Sequence, residues 1–129
     1  MDIAYLQQVA EFNVRKQWER ACVFYPSLRK YEMPKTEISK RLKTTAGYAF
    51  FRPTNIVRFS AELMWEHTEY FVNNTIIHEV AHIVANNVFG SKGHDAAWKK
   101  VMVTMGVTPN RLHSMTNTKW EAQKAGIKV

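Results

Sequence analysis

The sequence predicts an α+β fold: one helix first, a small and mainly antiparallel sheet next, and helices last. Three observations predict it. Apolar residues recur every three or four positions near the N-terminus, and β-forming residues flank a Pro-Thr turn in the middle. Beyond them, the most apolar stretch of the chain carries its polar residues on one narrow helical stripe.

The elements follow in chain order. Ile3, Leu6, Ala10, Val14, Trp18 and Ala21 mark an amphipathic helix from Asp2 to Cys22, with Asp2 as its N-cap and Tyr25-Pro26 as its end. The run Thr44–Arg52 is rich in β-formers, Pro53-Thr54 makes a turn, and Asn55–Ser60 returns as the second arm of a hairpin. A short strand near Glu37-Ile38-Ser39 lies beside the pair. Residues Glu69 to Phe89 then read as a helix buried on most sides. Thr75, His78, Glu79, His82 and Asn86 form its polar stripe, and Gly90 stops it. After Ser91-Lys92-Gly93, the apolar face Trp98, Val101, Met102 and Met105 defines another helix, closed by Gly106 with Pro109 beyond. The polar tail from Asn117 shows no clear period.

Length and composition narrow the function classes. A chain of 129 residues, 46% hydrophobic and 22% charged, is expected to form one domain over residues 1–129, and a monomer. No apolar run approaches the roughly 20 residues of a membrane-spanning helix, so no membrane partner is expected. The start Met-Asp-Ile-Ala-Tyr has neither the basic nor the apolar part of a signal peptide. The single cysteine, Cys22, excludes an intramolecular disulfide and every zinc site built from several cysteines. A cytoplasmic setting is therefore expected, the host cytoplasm if the source is a phage. Eighteen Lys and Arg against eleven Asp and Glu give a net charge of +7, which favours anionic partners, nucleic acid first.

The chemistry concentrates in His78-Glu79-Val80-Ala81-His82, the pattern H-E-x-x-H. Two histidines four apart on a helix lie about 6 Å apart along the axis and project the same way. Both imidazoles can then reach one ion at roughly 2.0–2.1 Å. The intervening carboxylate lies beside them, where it can take a proton from water attacking a carbonyl and return one to the leaving amine. Composition alone produces such a match about once in a hundred shuffles, and the position on the polar stripe of an apolar helix adds to its weight.

A catalytic zinc site needs a third protein ligand. A histidine six residues past His82 is ruled out because Val88 stands there, and no glutamate occurs between Glu79 and Glu121. His94 and Asp95 remain. Gly90 and Gly93 allow the chain to turn back, and His94 is the expected ligand, while Asp95 suits the start of the next helix. His67 reads as an exposed loop residue. His113 is either a partly buried, hydrogen-bonded histidine or a neighbour of the site, and stays outside the catalytic set. Trp98, Met102 and Met105 read as core. Lys40, Arg41 and Lys43, with Lys99 and Lys100, read as solvated charge or a phosphate-contacting surface.

These residues, in this order, resemble the SprT-like metallopeptidases, which include the Spartan proteases. The resemblance runs from about Thr44 to Met115. It is carried by Thr45-Ala46-Gly47-Tyr48-Ala49, the H-E-x-x-H helix, Gly93-His94-Asp95-Ala96-Ala97-Trp98, and Met105-Gly106-Val107 leading to Arg111-Leu112-His113-Ser114-Met115. It implies a minimal zincin-like core and a zinc ion (Zn2+) on His78, His82 and His94, with Glu79 as general base. It also implies peptidase action on protein substrates, including proteins bound to DNA. This chain departs from the family in having Gly-His where His-Gly is common, and in lacking the cysteines of the C-terminal zinc ribbon that many members carry. The rival expectation is a DNA-binding or regulatory module in which zinc only braces the fold. A metallohydrolase acting on RNA or a small molecule is a weaker third.

Overall fold

The computed structural model describes residues 1–126; the last three residues of the expected domain lie outside the described residues. Helix α1 spans Ile3–Phe24, with the Asp2 side chain accepting a hydrogen bond from the Tyr5 N–H and Tyr25 as C-cap. Its inward face is the one the spacing predicts: Leu6, Ala10, Val14, Trp18 and Ala21 are buried, joined by Asn13, Gln17 and Cys22. A 3-10 turn over Pro26–Lys30 leads to strand β1, Lys35–Ser39. Strand β2 is Gly47–Phe50 and β3 is Ile56–Ser60, the two arms of the expected hairpin, with a cis Arg52–Pro53 peptide in the turn.

The architecture is α+β, but the sheet is mixed rather than mainly antiparallel. Its order is β1-β3-β2, with β1 parallel to β3 and β2 antiparallel to it. The hairpin fixes the β2–β3 direction. The preceding loop carries the chain past the end of β3, so β1 joins the opposite side of the central strand and runs with it. Apolar content alone did not reveal that crossing. Val57 and Phe59 point inward from β3 and are fully buried, while Ile56 and Arg58 alternate to the outer face.

Helix α2, Ala61–Glu66, is N-capped by Ser60, whose hydroxyl accepts from the Leu63 N–H. A single turn, α3 (Thr68–Tyr70), runs into a π-helical turn over Phe71–Thr75 and then into α4, Ile76–Phe89. The sequence reads this stretch as one regular helix; the wider turn, in which the Ile76 N–H reaches the Phe71 carbonyl, interrupts it. Gly90 ends α4 in the left-handed region at φ 73°, with the Ser91 N–H reaching back to the Ala85 carbonyl. Helix α5, Ala96–Thr104, buries Trp98, Val101 and Met102, and Met105 is buried at its C-cap.

The polar tail is tied down. Helix α6, Thr118–Lys124, is N-capped by the buried Asn117. The Asn117 amide donates to the Lys43 carbonyl at 2.8 Å and to Glu62 Oε2 at 3.1 Å. Glu62, also buried, accepts from Lys43 Nζ at 2.5 Å. Burial pushes the Glu62 pKa up, but the Lys43 and Asn117 hydrogen bonds and the charges of Lys43 and Lys119 outweigh it, so the net shift is downward. A carboxyl held below its unfolded value stabilises the fold above that value, and this contribution fades as pH falls through the folded pKa. Glu62→Gln is therefore expected to destabilise the protein at neutral pH. Urea unfolding at a series of pH values should show the gap to wild type narrowing below about pH 4.5.

Candidate metal centre

The π-helical turn and α4 deliver His78, Glu79 and His82 to the base of a cleft of about 660 Å³. One wall is the segment Thr44–Ala49, including β2; the opposite wall comprises the loop before α5 and residues 107–113. His94 arrives from the α4–α5 loop. Its Nε2 lies 3.1 Å from His78 Nε2 and 3.2 Å from His82 Nε2.

Several contacts hold His94 in place. Asp95 caps α5 by accepting from the Trp98 N–H at 3.1 Å, and also accepts from the Ser91 hydroxyl at 2.7 Å. The cap on one side of His94 and the glycine stop on the other set the return of the chain. Trp98 is fully buried beneath the cluster, with its ring stacked on His82 at 5.1 Å and edge-on to His94 at 4.6 Å. Its indole N–H donates to the His78 carbonyl at 3.4 Å. The core reading of Trp98 is thus incomplete, since the side chain is also the platform on which the imidazoles rest.

The electrostatics suit a cation. Burial, then the charge of His94, lowers His78 to about 4; burial, then His78 and His94, lowers His82 to about 3. Burial followed by the charge of Arg111 lowers His94 as well. Three neutral imidazoles thus aim their Nε2 atoms at a common point. Lone pairs that close repel unless a proton or cation sits among them. Tetrahedral ligands at a zinc–nitrogen distance of 2.0–2.1 Å stand about 3.3–3.4 Å apart, close to the spacing observed. The three histidines could hold a metal ion, and their donor set fits zinc.

Glu79 lies beside them, 5% exposed, with Oε2 3.9 Å from His78 Nε2. Burial lifts its pKa to about 8. Gly47 backs onto this carboxyl: a Cβ there would meet Glu79 Cγ at 3.1 Å, Oε2 at 3.2 Å and the Arg58 carbonyl at 2.8 Å. A side chain at position 47 would force the strand or the carboxylate to move.

The remaining sequence candidates separate. Asp95 is a cap and not a fourth member of the cluster. His113 lines the cleft, but both ring nitrogens are engaged, Nε2 with the Thr44 carbonyl at 2.7 Å and Nδ1 with the Met115 N–H at 3.0 Å. It clasps the two walls together. His67 is half-buried, and its Nε2 bonds the Thr116 carbonyl at 2.7 Å, another tie to the tail. Lys43 is paired with Glu62, whereas Lys40, Arg41, Lys99 and Lys100 are exposed. Cys22 is buried.

With this geometry in view, comparison with known proteins gives one family. Its model, the SprT-like family, matches residues 10–119. This chain belongs to the SprT-like family. It is 36% identical to Protein SprT of Pseudomonas putida (strain W619) over 113 residues, covering 84% of this chain and 66% of the relative. Protein SprT of Pseudomonas putida (strain F1) is 36% identical over 89 residues, 66% of this chain and 54% of the relative. Protein SprT of Pseudomonas aeruginosa (strain PAO1) is 32% identical over 84 residues, 63% of this chain and 51% of the relative. The SprT-like chain thus spans between half and two thirds of the length of these relatives. No solved structure matches it. Among the described residues, no helix is long and apolar enough to cross a membrane.

The platform role makes a prediction for this SprT-like site. Trp98→Ala should cost about 3–5 kcal/mol of stability by chemical denaturation. Trp98→Phe should recover most of that stability yet bind zinc more weakly, because it lacks the indole N–H, as competition with a chromogenic chelator will measure.

Proposed function

We propose that this protein is a zinc-dependent peptidase acting on protein substrates, including proteins associated with DNA. One observation carries the reading: three neutral imidazoles converge beside a buried carboxylate at the base of a cleft that runs along an unpaired strand edge. His78, His82 and His94 would hold the ion. When bound, zinc supplies a Lewis acid that polarises a carbonyl and acidifies water.

The chain's own groups do the rest. Glu79 sits where it can accept the proton of an attacking water and pass it to the departing amine nitrogen. Burial raises its proton affinity, and a cation held on the neighbouring imidazoles would favour the ionised form that a proton acceptor needs. Trp98 and Asp95 keep the ligand set in register.

Binding of an extended segment follows from the pairing of β2. The Ser60 N–H donates to the Ala46 carbonyl, so Ala46, Tyr48 and Phe50 turn their backbone groups toward β3. Gly47 and Ala49, next in alternation, turn theirs to the free edge, and both line the cleft. A peptide adding there as a further strand would carry its carbonyls past the imidazoles. The net charge of +7 supports an encounter with proteins on DNA.

Glu79→Gln is expected to reduce cleavage of a DNA-bound basic protein at least about a hundredfold while leaving zinc content near one per chain. Retained cleavage by that variant sinks the mechanism. His94→Ala is expected to lose stoichiometric zinc in metal analysis, and cutting by the wild type should stop on adding a chelator.

A further inference from the structure

The cleft does not end at the imidazoles. Its lining continues upstream of His78 to Asn74 and Tyr70, and on the other wall to Met102, Val107 and Thr108. Tyr70, Asn74 and His78 are four residues apart, and the wider π-helical turn among them keeps all three on the cleft side. Helix α5 leaves the His94 loop and passes beneath the rings at Trp98. Met102, about one turn further on, therefore lies past the metal centre on the side away from His94.

The end of α5 gives this recess an apolar floor. Gly106 takes the left-handed region at φ 84°, which closes the helix with two reversed hydrogen bonds. The Gly106 N–H donates to the Val103 carbonyl at 2.9 Å, and the Val107 N–H to the Met102 carbonyl at 3.0 Å. This closure folds Val107 back onto Met102, the apolar pair that such a cap brings together. Met102 is buried and Val107 is half-buried against the core, yet both face the cleft. Tyr70 and Asn74, each half-buried, form the α4 side, and Thr108 is exposed. None of these side chains is charged, so the recess offers apolar surface with a few neutral polar groups.

An extended segment advances about 3.3 Å per residue, and one helical turn is about 5.4 Å. The recess is thus one or two residues away from a carbonyl presented to the imidazoles. We propose that Met102 and Val107 form a pocket for an aliphatic side chain of leucine or methionine size, one or two residues from the bond at the metal centre. This rests on the peptidase reading and names a feature of its substrate. The pocket reads one side chain by its apolar bulk and leaves the charge of the flanking residues unread, so basic proteins on DNA qualify.

Binding tests this apart from turnover. Zinc-loaded Glu79→Gln protein is titrated with labelled, terminally capped peptides, each a host of Gly, Ser and Lys with one central Ala, Asn or Leu, read by fluorescence anisotropy. The Leu peptide is expected to bind about tenfold tighter than the Ala peptide, and tighter than its near-isostere Asn, with a ratio that holds as ionic strength rises. Adding Val107→Phe, which fills the pocket, or Val107→Ser, which removes its apolar lip, should bring the Leu-to-Ala ratio towards one. A partly unfolded fraction scales all three peptides alike, so the ratio reports the pocket even where a variant is less stable. Leu112→Ser, a change on the exposed rim of the cleft, should leave the ratio in place. Equal affinities for the three peptides overturn the proposal, as does a Leu preference that persists in both Val107 variants or is lost in Leu112→Ser. If the preference holds and responds to Val107 but the zinc-loaded wild type cuts none of the peptides or proteins offered, the peptidase reading fails and the pocket stands. If the wild type cuts all three peptides and binds them alike, the pocket fails and the peptidase reading stands.

Discussion

Three imidazole nitrogens share one small space, and much of the structure exists to keep them there. Left alone, neutral rings with Nε2 atoms at 3.1 and 3.2 Å are frustrated, because a single ring proton can bridge only one of the two contacts and the lone pairs across the other repel. Two are fixed by the helical repeat of α4. The third comes from a loop, and its position depends on the glycine stop after α4, the Asp95 cap of α5, and an indole that touches all three rings. Burial on this platform also strips the rings of protons at neutral pH, the state a metal ion requires. Packing and electrostatics therefore act together here: the desolvation that costs the histidines their charge leaves them competent as ligands.

The opposite wall depends on a different constraint. Among the described residues β2 has one strand neighbour and is only four residues long, so much of its support comes from elsewhere. It receives that support at its approach, where His113 holds Thr44, and Asn117 holds Lys43 together with Glu62. The tail that looked featureless as a string of polar residues is thus a structural strap. From Asn117 and Thr118 its long-range hydrogen bonds run to residues between 52 and 74 positions away in the chain.

Much of this was legible from the amino acids, for reasons that also explain what was not. Periodicity located α1, α4 and α5 because burial imposes a strict repeat on a helix face, and the turn chemistry at Pro53 located the hairpin. The pairing of His78 with His82 follows from helix geometry alone. His94 was reachable by elimination, since so few other ligands stood within range. The parallel pairing of β1, the π-helical turn and the anchoring of the tail were not legible. Each depends on which distant group satisfies a given polar atom, and local spacing carries no record of that. The same holds for Trp98, whose apolar period marks it as core but cannot show which rings it supports.

Gly47 joins two tasks in one residue. Its backbone faces the free edge of β2, and the space a Cβ would need is taken by the Glu79 side chain, 3.1–3.2 Å away. That edge and the Glu79 carboxyl thus share one stretch of backbone. A segment added along that edge would therefore bear on the strand that backs the Glu79 side chain, and substrate placement and carboxyl placement would be coupled through a single residue without a side chain.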